Sequence, residues 1–277
     1  MLFERLKHST DLRQWLKTLI PIPGSDKWLV ANHSDYEWQV QQKQGKPEAQ
    51  LVPTRPEMTL LPFSFKPRRI GDDYETEPGE HKAPSRMVVK VTNGWLIATD
   101  IGEWGGDIGW FSQDGTRHYK ISKDQVQAFS KTEQGIFAVQ GLSHRAFSQG
   151  SLIRLSQKIG RWNSEVVVDF KEKPYLLTAE LGGSFLVVTE SRLIRVKTDG
   201  RIETLIDRAF WQCLYPNSMA GSLQNGAIYI GMRHGVARVR KQGRTYQLDW
   251  LLPNKEFTKA RNRLGHVIKG SANSVGI

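Results

Sequence analysis

Four glycines set a period in this chain. Gly115, Gly160, Gly200 and Gly243 are separated by 45, 40 and 43 residues, and each closes a short turn between two apolar runs. Glycine is the residue that supplies left-handed backbone at a turn without steric cost. The pattern is plainest before the last of them, where Ala227 to Gly243 reads AIYIGMRHGVARVRKQG. Ile228, Tyr229 and Ile230 predict a strand, Met232-Arg233-His234-Gly235 a polar tip, and Val236, Arg238 and Val239 the returning strand. Lys241-Gln242-Gly243 then turns into a third strand, Tyr246 to Leu252. Gly45 lies 70 residues before Gly115, which is one such period plus an insertion.

A unit of 40–45 residues with four short strands cannot bury both of its faces alone, so such units must stack against one another. That spacing is the signature of a β-propeller blade. The expectation is an all-β protein, a β-propeller of five blades, or six if the insertion hides one. The chain order predicts an amphipathic helix over 1–20, ended by Pro21 and Pro23. The propeller spans 21–252, and a basic tail covers 253–277. In the first unit, Trp28 to Val30 and Tyr36 to Val40 read as strands. Residues 53–86 contain six prolines and an acidic patch, which predicts a long surface insertion loop. The repeats resume at Met87 to Val91, Trp95 to Thr99, Gly109 to Phe111 and Arg117 to Ile121. The next unit has a long tip, Gln140 to Gly150. The last begins with a strand at Trp211 to Leu214.

The phrases AIYIGMRHGVARV and SFLVVTESRLIRV resemble the repeats of bacterial two-component-regulator-type propellers. Those repeats run apolar-aromatic-apolar-Gly-Thr, a short tip, then Gly-Leu-x-Arg. The resemblance is clearest from Ser184 to Gly243 and implies the propeller fold. It implies no activity, because propellers host enzymes and binding scaffolds alike. No kinase module or apolar span accompanies the repeats, so a sensor ectodomain is not the expectation.

The formal net charge is +11, which favours acidic partners. The single cysteine, Cys213, forms no internal disulfide and no CxxC zinc pair. The first twenty residues carry charges throughout, without the apolar core of a secretory signal, and no apolar run reaches the length of a membrane span. The expected setting is cytoplasmic.

In a propeller, the loops joining second to third strands share a face with the connections between blades. Those tips place His33, Asp100, Glu103, Trp104, Asp107, His144, Arg145, Phe147, Arg233 and His234 on one mixed-charge rim. The turns at Lys43, Asp114, Lys158, Asp199 and Lys241 occupy the opposite face. No HExxH, GxSxG or phosphate-loop motif appears, and no cofactor or metal site is expected. Trp104 sits among glycines, where an exposed aromatic suits a partner. The leading expectation is therefore a non-catalytic protein-binding propeller, an inhibitor or immunity-type protein for an acidic partner protein. The alternatives are a propeller enzyme, lyase or hydrolase, using the His, Asp and Glu tips, and a nucleic-acid-associated factor using the basic tail.

Overall fold

A computed structural model describes residues 20–22, 36–43, 46–53, 58–67, 74–144, 147–209, 211–221, 226–232 and 235–253. The helix expected over 1–20 and the tail over 253–277 lie outside the described residues, except for Ile20 and Pro253, which belong to strands. The strand expected at Trp28 to Val30 also lies outside them. The chain opens with β1 (Ile20–Ile22), β2 (Tyr36–Lys43), β3 (Lys46–Pro53), β4 (Met58–Pro67) and β5 (Tyr74–Pro84). One four-stranded meander follows as β6 (Val88–Val91), β7 (Gly94–Asp100), β8 (Gly106–Phe111) and β9 (His118–Ser122). The next is β10 (Val126–Thr132), β11 (Gly135–His144), β12 (Phe147–Lys158) and β13 (Arg161–Asp169). A third is β14 (Pro174–Ala179), β15 (Phe185–Thr189), β16 (Leu193–Val196) and β17 (Ile202–Ile206). The fourth is β18 (Ser218–Gly221), β19 (Ile228–Met232), β20 (Gly235–Gln242) and β21 (Thr245–Pro253).

Each meander forms one antiparallel sheet with its strands in sequence order, the arrangement of a propeller blade. The fold class is therefore all-β and the architecture a β-propeller, as the repeat predicts. Among the described residues four blades are complete, and β2–β3 and β4–β5 form two-stranded sheets. By density of contacts the chain falls into two compact units, one of residues 56–213 and the other of residues 1–55 with 214–277.

In the second of these units, β1 lies parallel to β21, pairing Ile20 with Leu251 and Ile22 with Pro253. It extends the outer edge of the last blade. The segment expected to be a strand at Trp211 to Leu214 is a 3-10 turn, and β18 is the strand that pairs β19. Left-handed Tyr215 and the N–H-less Pro216 separate the two.

The unit of residues 56–213 explains why its strands read as nearly continuous apolar runs. The blade β6–β9 is buried on both faces. Val89, Val91, Leu96, Ala98, Ile108 and Trp110 pack against Val126, Ile136, Ala138, Ile153 and Leu155 of the next blade. Its other face sends Val88, Trp95, Ile97 and Phe111 against Leu61, Phe63, Tyr74 and Ala83 of the β4–β5 pair. The same logic joins β10–β13 to β14–β17 through Phe137, Val139, Leu152, Phe185, Val187 and Ile194. Side chains alternate across each strand, so a strand flanked by two sheets needs apolar residues at every position.

The proline-rich segment differs from the insertion loop expected over 53–86: β4 and β5 form an antiparallel hairpin that covers the blade β6–β9. Three of its prolines stand at a bulge or a strand end. The register shifts between Leu61 and Phe63, so Pro62 sits at a bulge, and Pro67 and Pro84 end their strands. The long tip expected from Gln140 to Gly150 is likewise mostly strand, with β11 and β12 paired as far as His144 opposite Phe147.

All four period glycines adopt left-handed backbone, with φ of 75° at Gly115 and Gly160, 85° at Gly200 and 60° at Gly243. Two of these turns share one device. The Gly115 N–H donates to Ser112 O at 3.0 Å, and the Gly200 N–H to Lys197 O at 2.9 Å. The preceding aspartates accept from the residue two positions on, at 3.1 Å from the Thr116 N–H and 3.0 Å from the Arg201 N–H. Hydrogen bonds from Ser112 and Thr116 hold the Asp114 carboxyl down to about 2. Those from Arg201 hold Asp199 below the usual carboxylate range.

Candidate functional site

The face opposite those turns carries the blade tips. At the end of β7 the chain makes a 3-10 turn, Gly102–Trp104, before β8. Asp100 fixes that turn from inside: its Oδ1 accepts the Gly102 N–H at 2.9 Å and the Gln125 amide at 2.7 Å, and its Oδ2 accepts the Gln127 amide at 2.9 Å. The Gln125 amide also donates to Gly102 O. Two glutamines entering the next blade therefore position the turn that carries Glu103 and Trp104. Asp100 is a positioning residue here, its charge spent on amide donors.

Glu103 projects from this turn toward the neighbouring blade, where His144 ends β11. His144 Nδ1 lies 3.0 Å from Glu103 Oε2, with the two side chains 44% and 50% exposed. A carboxylate at Nδ1 fixes the proton there and leaves the Nε2 lone pair as the position for proton transfer. The β11–β12 hairpin holds the histidine by its unbroken ladder to Phe147. Trp104 is 81% exposed beside the pair and Phe147 is 53% exposed.

A cavity of about 370 Å³ opens alongside this turn. Its polar lining is His81, Arg86, Thr99, Asp100 and Gln127, and its apolar wall is Phe65, Met87, Ile97 and Val126. His81 is held edge-on to Phe65 with ring centroids 5.7 Å apart. The Thr99 hydroxyl is engaged, donating to Asp107 Oδ1 at 2.6 Å.

Asp107 differs from its expected place on the rim. It lies within β8 and is buried, accepting the Tyr74 hydroxyl at 2.8 Å and pairing with Lys120 Nζ at 3.3 Å. A buried carboxylate must be paired and hydrogen-bonded, and here it ties the β4–β5 hairpin to the blade. Of the sequence-predicted residues, Asp100, Glu103, Trp104, His144 and Phe147 gather at adjoining tips. His33, Arg145, Arg233 and His234 lie outside the described residues. Sequence reasoning missed His81 and Arg86, because both lie within the segment taken for an insertion. The period-2 alternation Leu61, Phe63, Phe65 was the signal that the segment is sheet. Among the described residues no three His, Cys, Asp or Glu side chains gather as a metal site requires, and no helix is long and apolar enough to cross a membrane.

The fold and these tips define the class: a β-propeller with a glutamate–histidine pair at adjoining tips and a small cavity at Asp100, the residue that holds the turn bearing Glu103. No protein-family model and no curated protein matches the chain. Among solved structures it is similar to selenomethionine-substituted virginiamycin B lyase from Staphylococcus aureus, at 15% identity and a TM-score of 0.40, over 61% of this chain and 55% of that one. It is also similar to a streptogramin B lyase, at 16% identity and a TM-score of 0.40, over 61% of this chain and 54% of that one. The chain thus spans little more than half the length of either. The expectation of a non-catalytic inhibitor or immunity-type binder is corrected here: both of these solved propellers are enzymes by name, and neither is an inhibitor.

Proposed function

We propose that this propeller is an enzyme of the lyase or hydrolase type, acting by proton transfer at the Glu103–His144 pair on a small molecule held at the cavity that Asp100 shares with the turn bearing Glu103. The observation that carries this is the 3.0 Å contact between a glutamate and a histidine from tips of consecutive blades. General acid–base chemistry needs a base with a fixed tautomer near a bound substrate, and Glu103 supplies the fixing group. In an elimination, His144 Nε2 takes a proton from the substrate carbon. The C–H electron pair becomes the new double bond, and the leaving group departs with its bonding pair. The imidazolium then returns the proton to the leaving group. In a hydrolysis the same nitrogen takes a proton from water instead. Glu103 stabilises the imidazolium in either case.

The test is a turnover assay with p-nitrophenyl acetate and virginiamycin B as probes, the products read by mass. Elimination leaves the summed mass unchanged, and hydrolysis adds one water. The His144→Asn variant is expected to lower kcat/KM by about 10²-fold or more, and Glu103→Gln by less. Absence of turnover of either probe, or full activity in His144→Asn, overturns the reading.

A further inference from the structure

We infer that the cavity takes a small ligand with an anionic head, a carboxylate or phosphate, and an apolar body, and that Arg86 is the anchor of the head. The inference rests on reading the cavity as the substrate site and names the class of substrate. Two formal charges line the cavity, Arg86 and Asp100. They are not equivalent. Both oxygens of Asp100 are engaged, by one backbone N–H and two glutamine amides. Arg86 stands on the 3-10 turn Ser85–Met87, exposed, and no hydrogen bond or ion pair holds its guanidinium among the described residues. A guanidinium offers five donors in a planar fork that matches the two oxygens of a carboxylate or phosphate. Its neighbour in the lining, His81, adds an N–H donor and, when protonated, a second positive charge.

Apart from Thr99 and Gln127, which are engaged with Asp107 and Asp100, the rest of the lining is apolar. Ile97 and Val126 present fully packed surface, and Phe65 and Met87 complete the wall. At about 370 Å³ the space lies at the low end of ligand cavities and holds a body the size of one aromatic ring. The net charge of +11 steers anions toward the molecule as a whole. An aliphatic or aromatic acid, or a small phosphate ester, satisfies every one of these features. A cationic ligand would have to compete with three donors for Asp100.

The test is a fluorine NMR titration of the full chain with 4-fluorobenzoate, 4-fluorobenzyl alcohol and inorganic phosphate as probes. The benzoate is expected to bind about tenfold more tightly than the alcohol, the difference that a charge-assisted pair makes. Arg86→Gln is expected to erase that preference, and Arg86→Lys to keep part of it. Displacement of the benzoate by millimolar phosphate assigns the head as phosphate-like, and persistence of the benzoate assigns it as a carboxylate. Equal affinity for benzoate and alcohol, an unchanged preference in Arg86→Gln, or no binding of any probe overturns the inference. Glu103→Gln and His144→Asn are expected to retain benzoate affinity. Retained turnover in those two variants, with benzoate affinity lost in Arg86→Gln, overturns the roles given to Glu103 and His144 and leaves the anion cavity standing. Turnover that depends on His144 with no charge preference in binding does the reverse.

Discussion

Within the unit of residues 56–213, the two faces of the blades solve the same problem in opposite ways. On the turn face, Ser112–Thr116 and Lys197–Arg201 close with the same left-handed glycine, the same backbone bond and the same self-capping aspartate. On the tip face, no two connections are alike. The β7–β8 tip is a 3-10 turn held by two glutamines. The β11–β12 tip is a long hairpin. The β15–β16 tip is locked by Glu172, which accepts from Thr189, Ser191 and Arg192. The stacking of blades fixes where strands end, and two of the turns on this face repeat one geometry, while the β12–β13 turn closes through two left-handed residues, Ile159 and Gly160. The tips are free of that requirement, so their polar groups diverge, and function collects there.

The comparison breaks first if apolar packing beneath the turn face is no more costly to lose than exposed aromatic surface at the tips. Phe63 is fully buried and stacked on Phe111 at a centroid distance of 5.5 Å. Phe63→Ala is expected to cost about 3–5 kcal/mol in denaturant unfolding. Trp104→Ala, at an 81% exposed position, is expected to change stability by less than about 0.5 kcal/mol. Equal effects would show that the tip aromatic is structural.

A second variant separates a locked tip from an open one. Glu172 and Arg192 are only 12% and 24% exposed. Glu172→Gln leaves the arginine poorly paired and is expected to cost about 2 kcal/mol, below the loss for a fully buried pair. Glu103→Gln breaks a half-exposed pair and is expected to cost under about 1 kcal/mol. Thermal unfolding of the two variants side by side reads the difference.

The repeat glycines sharpen the comparison further. Gly115→Ala pays for left-handed backbone and also meets the Phe63 ring, whereas a Cβ at Gly243 meets nothing within 4 Å. The expected losses are about 2 kcal/mol or more at Gly115 and about 1 kcal/mol at Gly243.

The smallest effect is a pH dependence. Asp114 titrates near 2 in the folded chain, held down chiefly by the Ser112 hydroxyl, against a reference of 3.8. Its folded value is depressed, so the stability it contributes is present above the unfolded value and is lost as pH falls from about 4 through 2. Asp114→Asn is expected to flatten the pH dependence of the unfolding midpoint across that window, lying a little below the wild type at pH 7 and converging with it near pH 2. An identical acid slope in both proteins would show that the turn does not use its charge.

The sequence exposed the repeat because turns and strands are local. Gly115, Gly160, Gly200 and Gly243 are legible one residue at a time, and Trp95, Trp110 and Trp250 are buried as their strand phrases predict. The site was half legible. Glu103 and His144 are both tip residues, but they stand 41 positions apart, and only the stacking of blades makes them neighbours. Asp107 was misplaced because the strand β8 begins one residue before it and draws it inside.

What the chain determined by itself is the propeller: period, alternation and left-handed turns are properties of residues and their near neighbours. Tertiary structure alone decided that the proline-rich segment is a hairpin covering a blade, that Asp100 is spent on two glutamines, and that Arg86 is left at a cavity without a partner among the described residues. Those facts depend on which surfaces meet, and contacts between residues far apart in sequence leave no periodic mark in it.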